Sequence, residues 1–487
     1  MTQTEDLYET TVGLEIHVEL STRSKMFCGC EVAFGGEPNI RTCPVCLGMP
    51  GSLPVANEKA VEHTIRIALA LGCSIPSGSL FHRKNYFYPD MPKNYQISQY
   101  DFPLGSQGFL EIEGSFGRSR VGINRVHLEE DTGKSIHVGG SGRIADSDYS
   151  LEDFNRAGTP LVEIVSEPDI HSAEEARAFV TELRALLESL GVSDVRMEEG
   201  SLRVDANVSV RRSGEKEFGA KVEVKNMNSI RSVGRALEHE EKRQREALDA
   251  GEALIQETRH FDEKTGTTSS MRTKEFAFDY RYFPEPDLVP LEPAAAWIEE
   301  IRSSLPELPA ARRQRYAEDF GLGENDVEVL TSSTKLAGWF EAAAAAYGGE
   351  PKKVVNWIIA DLFGLCNDAG VELYRCKIDP AQLAGLVKLV DAGTVSGKQA
   401  KLVLAGMFET GDDAAAVAES KGLQQVSDRG AIESAVDEAI AENPDAVAKI
   451  REGQLNTIGF LVGQVMKKTK GQANPGMVNE LLRKKLG

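Results

Sequence analysis

The chain has 487 residues, more than one hydrophobic core organises, so two to four domains are expected. A hydrophobic content of 41% and a charged content of 27% are ordinary for a soluble globular protein, and no run approaches the roughly 20 apolar residues of a membrane span. The formal net charge of −20 argues against a nucleic-acid partner only if charge is spread evenly, and it is not.

In chain order, Met1-Thr2-Gln3-Thr4-Glu5-Asp6 has neither the basic start nor the apolar run of a signal peptide, so a cytoplasmic protein is expected. Val12–Leu20 alternates strictly, with Val12, Leu14, Ile16, Val18 and Leu20 on one face and Glu15, His17 and Glu19 on the other. This is the period of a half-buried strand. Its polar row is either a solvated face or one wall of a cation site, because crowded carboxylates need a counter-charge. Cys28-Gly29-Cys30 and Cys43-Pro44-Val45-Cys46 then make a CxC-x12-CxxC pattern. In a cytosolic setting it reads as two knuckles closing four thiolates on a structural zinc ion, the alternative being four unconnected thiols. Cys73, Cys366 and Cys376 have no partner pattern.

Glu58–Leu71 has helical spacing, with Asn57 as its N-cap. The segment Arg83 to Tyr95 interleaves basic, aromatic and amide residues. It suits either a nucleotide, with Arg83, Tyr86 and Tyr88 as contacts, or the plugging of a core edge. Strands follow at Val121–Glu130, Leu161–Val165, Leu202–Val210 and Lys221–Lys225, and helices at Ser172–Leu190 and Ile230–Ala250. Ser172 and Glu175 read as a capping box, and Gly191 as the stop. On Val121–Glu130 the alternation puts Glu129 with His127 and Arg125, and Glu130 on the opposite face with Leu128. Glu163 is a lone carboxylate in an apolar strand, which disfavours it unless it is paired or bound to an ion. These elements predict an α+β fold, a large mostly antiparallel-sheet cradle domain over residues 1–292 with the zinc knuckle at 28–46.

Prolines 284, 286, 290 and 293 mark a boundary. An all-helical domain is expected over 293–413, with helices at Ala342–Ala346, Val354–Leu365 and Pro380–Val390. A small helical tail domain is expected over 414–487, with helices at Ala431–Glu442 and Pro475–Leu486, the latter capped by Asn474. Lys467, Lys468, Lys470, Arg483, Lys484 and Lys485 oppose Glu480 alone in the last 22 residues, a local net charge of +5. Cations suit helix C-termini and they also suit a phosphate backbone. Gly133-Lys134-Ser135 is not a P-loop, since the leading glycine would fall at Leu128. No trustworthy Ser or Cys nucleophile context appears, so ammonia or an acyl-enzyme would have to come from another subunit.

The motifs Gly13-Leu14-Glu15-Ile16-His17, Arg83 to Asp90, His127-Leu128-Glu129-Glu130-Asp131, Gly158 to Glu163, Tyr280 to Asp287 and Gly471-Gln472-Ala473-Asn474-Pro475 are long and span the chain. Together they resemble the B subunit family of the heterotrimeric tRNA-dependent amidotransferases. The resemblance implies that Mg-ATP phosphorylates the side-chain carboxylate of Glu mischarged on tRNA(Gln), or of Asp on tRNA(Asn). Ammonia from a glutaminase A subunit then displaces phosphate, and a small C subunit ties the assembly together. It implies Glu15, His17, Glu129 and Glu163 as magnesium ligands, although His17 is an uncommon one. Glu130, Lys84 and Lys93 would line the ammonia path, with Glu129 and Glu130 able to exchange roles. The basic tail, in a YqeY-like domain, becomes a tRNA contact. The segment Gly139–Asp148 looks longer than the family's usual link. A competing class is a non-catalytic, zinc-containing tRNA-binding or assembly protein, which has no need to crowd acids with a histidine.

Overall fold

The alternating N-terminal segment forms a strand, β1 (Tyr8–Glu19), with Val12, Leu14, Ile16 and Val18 at no more than 1% exposure and Glu15, His17 and Glu19 half-buried on the other face. The computed structural model describes residues 7–139, 147–273, 277–423, 429–451, 454–469, 473 and 475–486. Two compact units make up the chain, Met1–Pro309 and Ala310–Gly487.

In the first unit the further strands are β2 (His82–Asn85), β3 (Tyr95–Ser98), β4 (Gly105–Gly114), β5 (Gly117–Glu130), β6 (Lys134–Val138), β7 (Tyr149–Asp153), β8 (Pro160–Ser166), β9 (Leu202–Arg212), β10 (Val222–Met227), β11 (Glu257–Asp262), β12 (Thr267–Thr273) and β13 (Phe283–Pro284). The main sheet has eight strands in the order β12-β11-β10-β9-β1-β8-β5-β4. Its neighbours are antiparallel except β10 and β11. A parallel pair needs a crossover, and the helix α3 (Ile230–Asp249) supplies it. This is the α+β architecture expected from the sequence.

Helices α1 (Glu58–Ala70), α2 (Ala173–Leu190) and α3 join the apolar face of the sheet in one core. Their ends follow side-chain chemistry. Asn57 accepts from the amides of Lys59 and Ala60, and Gly191 closes α2 in the left-handed region at φ 66°. The capping box at Ser172 is only half made. Ser172 accepts from Glu175 N, but the Glu175 carboxylate turns back to His171 N at 2.6 Å instead of to Ser172. Burying Leu14 and Ile16 contributes about 1.5–3 kcal/mol each. It also fixes the register, since a one-residue slip would drive His17 and two glutamates into the core.

Two smaller sheets flank this one. β13, β2 and β3 pair in that order. β6 and β7 form a separate ribbon, clipped at its base. Arg156 donates to Thr132 O at 3.0 Å and Gly133 O at 2.7 Å, and Gly158 N donates to Asp131 O at 2.9 Å. Residues 140–146 of the long link lie outside the described residues.

The second unit is helical, with two apolar clusters, one between Tyr316 and Ala418 and one between Ile432 and Leu486. The Ala342–Ala346 run lies inside Thr334–Tyr347, and the next helix opens at Pro351 and passes through a π-turn at Ile358–Leu362. Pro380–Asp391 carries a full capping box between Asp379 and Gln382. Pro475–Leu486 is helical, while its expected cap, Asn474, lies outside the described residues. No helix among the described residues is long and apolar enough to cross a membrane.

Candidate active site

Strand register assembles the polar face. His17 of β1 stands opposite Glu163 of β8, and Glu163 stands opposite His127 of β5. Glu129, two residues beyond His127, shares its face. The His17 Nε2 lies 3.3 Å from Glu163 Oε2 and 3.7 Å from Glu129 Oε1, and His127 Nε2 lies 3.4 Å from an oxygen of each. Burial works against charge on His127, but Glu163 and Glu129 outweigh it and raise its pKa to about 9. His17 is raised for the same reasons, and Glu163 is held well below the usual carboxylate range by the two imidazoles despite its burial.

His17, Glu129 and Glu163 converge closely enough to hold one metal ion, each offering a ligand atom within 4.8 Å of the others. Glu15 lies on the same face one rung away, its Oε1 accepting from Asn207 Nδ2 at 2.8 Å, and does not join this convergence. Ser98 Oγ donates to Glu129 Oε2 at 3.0 Å. Lys84 of β2 looks onto the same carboxylates. Burial opposes its charge, but Tyr282, Glu129 and Glu163 raise its pKa, and its Nζ lies 4.8 Å from the Tyr280 ring centre.

Glu130 faces the other way. Its Oε1 pairs with Lys93 Nζ and accepts from Ile97 N at 2.8 Å. Both side chains line a pocket of about 70 Å³, shared with Lys25, Cys28, Cys46 and Gly158. That is room for a few molecules the size of water. The structure thus separates two lysines that the sequence grouped, placing Lys93 with Glu130 and Lys84 with Glu129 and Glu163.

Arg83 is engaged elsewhere. Its Nε and Nη2 grip Glu285 at 2.7 and 2.8 Å, Nη2 reaches Asp287 at 3.1 Å, and the guanidinium lies 4.2 Å from the Tyr95 ring centre. Tyr86 and Tyr88 stack on each other at 4.5 Å between centres, with Tyr88 exposed. Beside His17 lies an ion-pair group whose two arginines, Arg156 and Arg203, sequence reasoning did not single out. Asp131 holds Arg203 at 2.9 Å and Arg156 at 3.6 Å. Burial and Asp131 push Glu19 up to about 8, while Arg203 and Arg156, against its burial, hold Asp131 down to about 2.

The four knuckle cysteines are free thiols whose sulfurs lie within 4.8 Å of one another. A tetrahedron with metal–sulfur bonds of ~2.3 Å has edges of about 3.8 Å, so the set fits zinc with little adjustment. Cys43 N donates to Cys46 Sγ at 3.2 Å. A hydrogen bond from Cys28 and, against burial, the Cys43 amide and Lys25 hold the Cys46 thiol down to about 5.

At the C-terminal end, Lys468 binds Glu442 at 2.7 Å and Glu438 at 3.1 Å, and Lys485 binds Asp437 at 2.5 Å and Glu433 at 3.2 Å. Among the described residues Lys467, Arg483 and Lys484 form no ion pair, Arg483 donating only to Asn479. Lys470 lies outside the described residues.

Comparison with known proteins accounts for this arrangement. Residues 10–299 match the model of the GatB/GatE catalytic domain, and residues 338–486 that of the GatB domain. The chain is 53% identical to the B subunit of the aspartyl/glutamyl-tRNA(Asn/Gln) amidotransferase of Carboxydothermus hydrogenoformans, covering 98% of this chain and 99% of the relative. This chain belongs to the GatB family. The GatB proteins of Moorella thermoacetica, 53% identical, and Caldanaerobacter subterraneus, 52% identical, are matched over 98% of this chain and at least 99% of their own length. The polar residues described above from His17 to Asp287 fall within the matched catalytic domain, and the tail cations with their acidic partners fall within the second match. For a GatB chain, a non-catalytic scaffold is the disfavoured reading.

Proposed function

We propose that the chain activates the side-chain carboxylate of Glu mischarged on tRNA(Gln), or of Asp on tRNA(Asn), with ATP, and then forms the amide with ammonia from a glutaminase A subunit. A small C subunit completes the heterotrimer, in the cytoplasm. The observation that carries this is the convergence of His17, Glu129 and Glu163 from three strands onto one point. A carboxylate is a poor electrophile and its acyl phosphate a good one. Phosphoryl transfer asks mainly for positioning and charge neutralisation. A magnesium ion held by His17, Glu129 and Glu163, with Glu15 at the next rung, would supply that neutralisation. Lys84, facing the same carboxylates, adds a fixed cation where phosphate charge develops.

The second step fits the opposite face of β5. Glu130, pinned by Lys93 and the Ile97 amide, lines the small pocket and would accept a proton from ammonium, because neutral ammonia is the nucleophile. The four-cysteine zinc site is structural, and the domain division stays at 1–292, 293–413 and 414–487. The tail cations contact tRNA, with Lys467, Arg483 and Lys484 the ones left for phosphate. Tyr86 and Tyr88 are the aromatic contacts for nucleotide.

The test uses the assembled complex with mischarged tRNA. Glu129→Ala should abolish ADP formation that depends on mischarged tRNA and leave glutaminase activity intact. Glu130→Ala should keep that ADP formation and lose amide formation. Retained amidation in Glu129→Ala would refute the metal assignment, and the reverse pattern would exchange the two roles.

A further inference from the structure

Lys25 is a buried lysine without a carboxylate. It is 1% exposed, and its three ammonium hydrogens meet three acceptors: Arg41 O at 2.7 Å, Phe154 O at 3.1 Å and Cys46 Sγ at 3.8 Å. The carbonyls satisfy hydrogen bonds but do not neutralise charge. Among the described residues no carboxylate pairs with this ammonium. A buried cation is retained where an anion faces it; Glu130 of the same pocket is paired with Lys93, and of the three acceptors on the Lys25 ammonium the Cys46 sulfur is the one that can carry charge. Four thiolates around a zinc ion leave a net charge of −2 in a half-buried site. We infer that Lys25 is the built-in counter-ion of the four-cysteine site, a positioning residue whose charge, beyond its hydrogen bonds, holds the metal. The inference rests on the zinc reading above.

The backbone agrees with this role. Lys25 N donates to Cys30 O at 2.9 Å, so the residue also braces the first knuckle. Its side chain crosses to the second knuckle and to Phe154, and so ties both to the chain leading into β8. Gly158 borders the same spot: a Cβ there would stand in ordinary van der Waals contact with Lys25 Cδ at 3.4 Å and Cys46 Cβ at 3.5 Å. Outer partners of this kind typically change metal affinity by about 10–100-fold.

The test is zinc retention by the full chain against a competing chromophoric chelator, in wild type, Lys25→Met and Lys25→Gln. Glutamine keeps two N–H donors and removes the charge. Both variants should release zinc about 10–100-fold more readily than wild type, and glutamine should not rescue. Wild-type retention in Lys25→Gln would overturn the counter-ion. Absence of stoichiometric zinc from wild type would instead overturn the zinc site itself. If the variants do not fold, amine labelling of the wild type followed by mass spectrometry decides. Stripping zinc should leave Lys25 markedly more reactive, and unchanged protection would overturn the inference.

Discussion

Arg83→Met separates a structural from a nucleotide-binding arginine. The Glu285 side chain is fully buried and takes both oxygens' worth of hydrogen bonds from Arg83, whose own side chain is 21% exposed. Removing the guanidinium leaves that carboxylate buried with no cation opposite. Breaking a buried pair in this way costs about 3–5 kcal/mol, and the partial exposure of Arg83 argues for the lower end, about 3 kcal/mol. At 2–4 °C per kcal/mol for a domain of some 150–250 residues, and less for the larger first unit, the melting temperature should fall by no more than about 6 °C. Adding Glu285→Gln removes the stranded charge and should restore more than half of the loss. The assay is calorimetry of the single and double variants beside the KM for ATP. An unchanged melting temperature with a raised KM would refute the structural role and give Arg83 to the nucleotide.

Two further outcomes are expected. In protein stripped of divalent ions, His127 has a pKa of about 9 against an ordinary value near 6.5, so charged His127 stabilises the fold. That contribution is complete below about pH 6.5 and is lost as pH rises through 9. Thermal scans should show wild type losing its advantage over His127→Gln across that window, and a constant gap would contradict the assignment. At the tail, Lys467→Ala, Arg483→Ala and Lys484→Ala should each weaken tRNA binding and reduce the slope of log affinity against log salt by about 1. Lys468→Ala and Lys485→Ala should change that slope less, because those cations are already paired with acids; equal slopes for all five would disprove the division.

What the sequence could disclose was local. Alternation in β1 placed Glu15, His17 and Glu19 on one face, and Asn57, Ser172 and Gly191 marked helix ends correctly. It could not disclose which rung of β8 would meet which residue of β1. Register puts Glu163 against His17, Val165 against Glu15 and Leu161 against Glu19, and this alone decides which acids converge. His127 shows the same limit, since its face was evident and its partner, 36 positions later, was not. β2 and β3 are four residues each and carry almost no periodicity, so the separation of Lys84 from Lys93 depends on a turn through Asn94 at φ 63°. The tail cations looked equivalent because their acidic partners sit on a different helix.

The clip at the base of the β6–β7 ribbon has a consequence for how this chain can change length. Arg156, Asp131, Thr132, Gly133 and Gly158 close the neck a few residues beyond Glu130. Residues added or deleted between Val138 and Tyr149 therefore end at a closed loop of hydrogen bonds and exert no pull on the strand that carries the two adjacent glutamates. Natural variation in the link can accumulate there without shifting the site. For the same reason an inserted label or tag at this position would leave the spacing of Glu129 and Glu130 untouched.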